Sequence, residues 1–320
     1  VLYLLVSQAC NMACVYCLAG RDTYQNVDHL QMPEKVAFDS IRASLDALAE
    51  DGELEISFFG GEPLLNWPLC KKCILYTEQL RKKEYPGVKL HYHLTTNLSV
   101  LPDDIEEWAT KYDISFLVEL DGPKDEHDLT RPYKKGGSAY HDIVRNVKRL
   151  LKGGYNVMLR TTVTSRNHHA MLKIAEHHLE VGVSHISFVP LNPVNSDLNI
   201  FEPELLPDPE VFAAGLEEIY RARLAPPENF FPLNEYLTHI APGAATPLGC
   251  GMPFGNTPVV NTDGEVYACI WLMGQSQFKI GDLKGEFMEE DVLIRFFREL
   301  HVDNLHKCST CQWRFLCGGG

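Results

Sequence analysis

The sequence predicts an α/β protein built on a parallel sheet, followed by a small cysteine-rich module. Three observations carry this expectation. Apolar strand-like runs and helical periodicities alternate six times between Val1 and Leu191, the pattern of strand–helix–strand units with helices packed outside a parallel sheet. Prolines then crowd the stretch from Asn192 to Gly249, a compositional change that marks a connector. Five of the ten cysteines lie from Cys250 onward, in metal-type spacings. The expected division is 1–192, 193–249 and 250–320. Right-handed crossovers allow either an open sheet or part of a barrel, and periodicity does not choose between them.

Each element has its own signal. Val1–Val6 is an apolar run that reads as a buried strand. It leads into Cys10-Asn-Met-Ala-Cys14-Val-Tyr16-Cys17-Leu-Ala-Gly20, a C-x3-C-x2-C spacing. Pro33 opens a helix in which Val36, Ile41, Leu45 and Leu48 recur at helical spacing, and proline suits a first turn. Glu53–Phe59 is the second strand and ends at Gly60-Gly61-Glu62-Pro63. A helix follows from about Pro68 to Lys83, then a strand His91–Thr96 ending at Asn97. Pro102–Lys111 reads as helix and Ile114–Leu120 as strand, closed by the turn Asp121-Gly122-Pro123. Leu120 to Tyr133 is polar and turn-rich and reads as a surface loop. Ala139–Leu151 is helical, Asn156–Thr164 a strand, His168–Val181 a helix and His185–Leu191 the sixth strand. The connector holds one clear helix, Glu210 to about Arg223, and covers the open face of the sheet. Asp263-Gly264 between Thr257–Val260 and Val266–Ala268 signals a hairpin.

Composition narrows the function. At 320 residues and 45% apolar content the chain supports a large core plus a smaller unit, and no run is long enough to span a bilayer. The formal charge of −14 disfavours nucleic acid or an anionic membrane as partner. Cysteines clustered in metal-type spacings argue for a reducing, cytoplasmic compartment rather than disulfides. The chain opens inside an apolar strand without a methionine and stops inside a cysteine run, so it reads as trimmed at both ends.

Three thiolates offered by one loop suit an iron–sulfur cluster, which takes four ligands and so leaves one iron open. A zinc knuckle is the alternative, although zinc favours paired C-x2-C units. In Gly60-Gly61-Glu62 the glycines permit close approach of backbone to a ligand, and the carboxylate can hold an ammonium group. A zinc ribbon of Cys250, Cys269, Cys308 and Cys311 fits the C-terminal spacing. Cys70 and Cys73 share a helix face and read as packing residues.

The cysteine loop, with the aromatic Tyr16 before its third cysteine, resembles the signature of the radical SAM enzymes. The resemblance implies a partial (β/α)6 TIM-like barrel with its chemistry at the C-terminal strand ends, where the cysteine loop, Gly60–Glu62, Asn97 and Asp121 all fall. It also implies a [4Fe-4S] cluster on Cys10, Cys14 and Cys17 whose open iron binds S-adenosylmethionine. An electron from the cluster then cleaves that cofactor to a 5′-deoxyadenosyl radical. Gly60-Gly61-Glu62 resembles the family's GGE motif, which holds the cofactor's amino group. Thr96, Asn97, Glu119 and Arg160 match strand ends that contact its ribose or carboxylate. Glu119 departs from the serine often found there.

Leu120 to Tyr133 resembles the matching stretch of peptide- and protein-modifying members, with Asp-Gly-Pro, His127-Asp128 and Arg131-Pro132 in the same order; His127 and Asp128 are candidate proton carriers. From Cys250 onward the chain resembles the SPASM extension. That likeness implies two auxiliary four-iron clusters, one on Cys250 and Cys269, the other on Cys308, Cys311 and Cys317, each incomplete in this stretch. The implied partners are a peptide or protein substrate and an electron donor such as a flavodoxin or ferredoxin. The implied reaction is an oxidative crosslink, thioether or carbon–carbon. The alternative is sulfatase maturation to formylglycine, for which relatives carry an aspartate after the hairpin cysteine, where this chain has Ile270. A non-catalytic cluster scaffold that binds a peptide is a third reading, against which the intact Gly60–Glu62 motif counts.

Overall fold

The computed structural model describes residues 1–17, 30–191, 202–240, 257–275, 278–283 and 299–318. Six parallel strands pair in chain order: β1 (Leu2–Ser7), β2 (Glu53–Gly60), β3 (Lys89–Thr96), β4 (Ile114–Glu119), β5 (Val157–Val163) and β6 (His185–Pro190). Between them run α1 (Glu34–Asp46), α2 (Trp67–Lys83), α3 (Ile105–Tyr112), α4 (Lys124–Thr130), α5 (Tyr140–Lys152) and α6 (Met171–Val181). The expected alternation holds, with β3 starting two residues early at Lys89.

Strand periodicity divides the side chains between two faces. On β5, Val157, Leu159, Thr161 and Val163 are buried, and the intervening Arg160 and Thr162 line a cavity. The same alternation sends Ile56 and Phe58 of β2, Leu94 of β3 and Phe116 of β4 into the core, together with Ile41 of α1, Ile143 of α5 and Ile174 of α6. It sends Glu55, Ser57, His93, Leu117 and Glu119 to the cavity. Cys70 and Cys73 are fully buried in this core, as packing residues.

Two expectations change. Lys124–Thr130 is a helix rather than a surface loop, and its His127 and Thr130 are fully buried. The connector is more than a spacer. After α7 (Pro209–Ala222), which packs on α6, it contributes β7 (Phe230–Phe231), parallel to β6, and α8 (Leu233–Ile240). The hairpin β8 (Val259–Val260) and β9 (Glu265–Tyr267) is joined by β10 (Lys279–Asp282), and β8 lies parallel to the outer edge of β1. One ten-stranded sheet results, in the order β10-β9-β8-β1-β2-β3-β4-β5-β6-β7. A last short helix, α9 (Arg314–Cys317), packs against α8. Among the described residues no helix is long and apolar enough to cross a membrane.

Candidate active site

A cavity of about 350 Å³ opens at the C-terminal ends of the strands. Cys10, Cys14, Tyr16, Cys17, Gly60, Gly61, Asn97, Glu119 and Arg160 all line it. The cysteine loop is held by backbone bonds from both sides. Gly61 N donates to Ser7 O (2.7 Å) and Glu62 N to Ala9 O (2.9 Å); Ala13 N donates to Pro132 O (2.8 Å) and Val15 N to Thr130 O (2.9 Å). Asn97 Nδ2 donates to Asn11 Oδ1 at 3.1 Å and lies 3.7 Å from Cys10 Sγ, which also accepts from Met12 N at 3.4 Å.

The glycines, which line the cavity, also make room for this loop. Gly60 has φ +144°, and a Cβ there would stand 2.1 Å from Ser7 O. A Cβ on Gly61 would stand 2.5 Å from Gln8 O and 2.6 Å from Ala9 O. The backbone that leads to Cys10 runs directly over them, which only glycine permits.

Glu62 lies beneath the cavity and not in its wall. It is fully buried, and its carboxylate accepts from Leu64 N (2.9 Å), Thr96 Oγ1 (2.7 Å) and Asn97 N (2.8 Å). The side chain therefore ties the ends of β2 and β3 together and sets Asn97. Burial pushes its acid up to about 7, against the pull of those three bonds. A raised carboxyl favours the folded state below its ordinary range and loses that advantage as pH rises through 7. Urea denaturation at pH 5 and pH 8 is expected to show the wild type losing roughly 3 kcal/mol relative to Glu62→Gln over that interval. A difference that stays constant with pH would refute this.

The opposite wall is charged. Glu119 and Arg160 are register partners on β4 and β5, and Arg160 Nε donates to Glu119 Oε1 at 2.5 Å. Arg131, at the exit of α4, places Nη1 3.3 Å from Glu119 Oε2 and 2.6 Å from the Tyr16 hydroxyl. Glu119 is thus a carboxylate held between two guanidinium groups. Tyr16 in turn donates to Asp121 Oδ2 at 2.7 Å. Asp121 also accepts from Thr130 Oγ1 (2.6 Å) and Thr162 N (3.1 Å). Burial raises the Asp121 acid even though Arg131 and these donors oppose it. Arg131 and Asp121 are positioning groups. The sequence marks Asp121 as a strand end and Arg131 as part of the Arg-Pro pair, but not their tie to Tyr16. The Arg131 Nε and the Ser57 Oγ are buried without a hydrogen-bond partner.

His127 and Asp128 do not reach this cavity. His127 sits behind β4, where its Nδ1 accepts from Asp121 N at 3.3 Å. Burial drops its pKa to about 3 and keeps it neutral. Asp128 pairs with Lys124 (2.6 Å) and Ser138 (2.6 Å) on the outer side. Neither is placed to exchange a proton with a group in the cavity.

From the C-terminal region, Ile270 and Trp271 follow the hairpin cysteine Cys269 and complete the cavity wall. Cys308 and Cys311 share a turn, with Cys311 N donating to Cys308 O at 2.8 Å. Cys250 and the Cys317 side chain lie outside the described residues. Among the described residues no three His, Cys, Asp or Glu side chains are gathered tightly enough to hold a metal ion.

The profile of the radical SAM superfamily matches residues 4–178. The chain belongs to the radical SAM superfamily. It is therefore an enzyme that uses S-adenosylmethionine and a four-iron cluster, and the scaffold reading is set aside. An uncharacterized protein of Methanocaldococcus jannaschii is 27% identical over 278 residues, 86% of each chain. A cysteine-type anaerobic sulfatase-maturating enzyme of Clostridium perfringens is 23% identical over 98% of this chain and 86% of its own. A radical SAM cyclopropyl synthase, TigE, of Paramaledivibacter caminithermalis is 28% identical over 51% of this chain and 35% of its own. Among solved structures, anSMEcpe with bound AdoMet superposes with a TM-score of 0.81 at 20% identity, covering 100% of this chain and 89% of that one. The partial barrel is thus the fold of this radical SAM enzyme. Its cavity fits the family's two groups: three soft thiols on one loop for the cluster, and facing them a wall with two guanidiniums, one carrying an orphaned buried N–H, for a charged cofactor.

Proposed function

We propose that this enzyme oxidises side chains of a peptide or protein, forming a thioether or carbon–carbon crosslink with net loss of two hydrogens. The observation that carries the reading is the contribution of Ile270 and Trp271 to the same cavity as the three loop thiols. A C-terminal module that walls the reaction site with apolar side chains suits a substrate residue presented there and shielded from water. Solved relatives support a peptide: anSMEcpe was determined with a Cp18Cys peptide, and Streptococcus suis SuiB with its precursor peptide SuiA at a TM-score of 0.70 and 16% identity over 100% of this chain and 71% of that one.

In this reading Cys10, Cys14 and Cys17 hold the cofactor-binding cluster. Tyr16, Asn97, Glu119 and Arg160 hold S-adenosylmethionine, with the backbone of Gly60 and Gly61 beside its amino group and Glu62 bracing that backbone from below. When bound, the cofactor supplies a radical that removes a substrate hydrogen, and the protein contributes orientation and exclusion of water. Cys250 and Cys269 belong to one auxiliary cluster, and Cys308, Cys311 and Cys317 to a second. A flavodoxin or ferredoxin delivers the first electron. The barrel ends near residue 192 and the auxiliary module begins near residue 250.

The near full-length likeness to sulfatase maturases favours a second reading, oxidation of a cysteine or serine to formylglycine. Ile270, standing where those relatives carry an aspartate, favours the crosslink. Anaerobic reconstitution of the full-length protein, followed by incubation with encoded short peptides and with the Cp18Cys peptide, separates the two. A two-hydrogen mass loss without hydrazide reactivity is the expected product. A hydrazide-reactive aldehyde would establish the maturase reading instead. The iron content is expected to be about twelve per chain; about four with stoichiometric zinc would remove the auxiliary clusters.

A further inference from the structure

Below the charged wall, strand register lays a polar belt across the cavity. Tyr3, Ser57, His93 and Ser115 are successive partners on β1, β2, β3 and β4. Tyr3, Ser57 and His93 line the cavity. Ser115 Oγ can donate to Tyr92 O at 3.3 Å and lies 2.8 Å from His93 Nδ1. In the tautomer that leaves the hydroxyl proton on Tyr92 O, Nδ1–H donates to Ser115 and Nε2 carries a lone pair, with no hydrogen-bond partner among the described residues. Its register neighbour Ser57 Oγ is fully buried and also without a partner. Two adjacent unsatisfied polar groups at the floor of a cavity leave a place for one group of a ligand.

We propose that His93 Nε2 is the proton acceptor of the reaction, with Ser57 Oγ bonded to the same substrate group. This rests on the oxidative reading above. A substrate side chain that loses two hydrogens gives up one as an atom to the cofactor-derived radical. It gives up the other as a proton to Nε2, with its electron passing to a one-electron acceptor of the iron–sulfur class. Three other positions are not placed for the role: Ile270 has no base to offer, Glu119 is held between Arg131 and Arg160, and His127 does not line the cavity. Burial lowers the basicity of His93 and keeps it neutral. Of the charges that face it, Glu55 on β2 favours the imidazolium and Arg160 on β5 opposes it. Tyr3 on β1 is held protonated by burial, and Ser115 on β4 carries no charge.

The test uses the reconstituted full-length chain and has two arms. Diethyl pyrocarbonate, which acylates neutral accessible imidazole nitrogens, is expected to modify His93 while His127 stays protected, read by peptide mapping. Protection of His93 both with and without S-adenosylmethionine overturns the proposal, whatever the substrate proves to be. With a peptide that the wild type oxidises, His93→Gln is expected to lower product formed per 5′-deoxyadenosine released by about 10²-fold or more and to abolish the acid limb of that ratio. Ser115→Ala, which removes the hydroxyl beside Nδ1, is expected to shift the same limb. A ratio and pH profile equal to wild type in His93→Gln overturns the assignment. Failure of the wild type to oxidise any peptide would instead strike the functional reading, and acylation would still decide whether Nε2 is free and neutral.

Discussion

Replacing Cys14 with alanine is expected to abolish S-adenosylmethionine cleavage while the protein stays folded. Cys14 is the informative choice of the three. The Cys10 sulfur accepts from Met12 N and lies close to Asn97 Nδ2, so its loss disturbs the loop as well as the ligand set. The loop around Cys14 is held instead by main-chain bonds, Ala13 N to Pro132 O and Val15 N to Thr130 O, which alanine leaves in place. Losing one small side chain of a partly buried residue costs about 1 kcal/mol, a shift of a few degrees in melting temperature. Losing one of three thiolates leaves a cluster with two protein ligands, and iron is expected to fall by about four atoms per chain. The check is iron content, circular dichroism and 5′-deoxyadenosine release on the same preparation. Cleavage retained in Cys14→Ala would mean that the loop does not hold the cofactor-binding cluster.

The second large effect is expected at Gly60 and Gly61. Alanine at Gly60 drives a Cβ to 2.1 Å from Ser7 O at a backbone angle that favours glycine, and alanine at Gly61 meets Gln8 O and Ala9 O. These are main-chain atoms, so no side chain can rotate away. Destabilisation of about 3–5 kcal/mol is expected for Gly60→Ala and somewhat less for Gly61→Ala. Because the displaced backbone leads straight to Cys10, iron incorporation is expected to fail even where the chain still folds. Urea denaturation and iron content measure the two effects separately. A Gly61→Ala protein of wild-type stability and iron content would return the glycines to a purely ligand-facing role.

The parallel strands were legible because one face buries apolar side chains in the core, and apolar runs such as Leu2–Val6 mark them. The helix Lys124–Thr130 was not. Its buried positions are Glu126, His127 and Thr130, and the last two hydrogen-bond to Asp121, so it has no apolar stripe to reveal it. The strands Phe230–Phe231 and Val259–Val260 are two residues each, and their pairing is decided by β6 and β1 rather than by local pattern. The thiols, Tyr16, Asn97, Glu119 and Arg160 could be found because short motifs and strand ends mark them. The strand end and the Arg-Pro pair mark Asp121 and Arg131, but their tie to Tyr16, far back in the sequence, shows only in the fold. Glu62 is marked by its motif, and the fold adds that its carboxylate accepts from Leu64 N, Thr96 Oγ1 and Asn97 N inside the protein.

The pairing of β8 with β1 has a consequence for biosynthesis. Tyr3 N donates to Pro258 O, and Tyr3 and Leu4 sit opposite Val259 and Val260. During translation β1 is the first of the barrel strands to emerge, yet the neighbour for its outer edge comes only after the barrel and connector have been made. Throughout that interval the nascent chain presents an apolar strand with open amide and carbonyl groups, the kind of edge that recruits other chains. Contacts so distant in sequence also form late and slowly. The strand that delivers the cysteines to the cluster site is thus the last of the barrel strands to be enclosed.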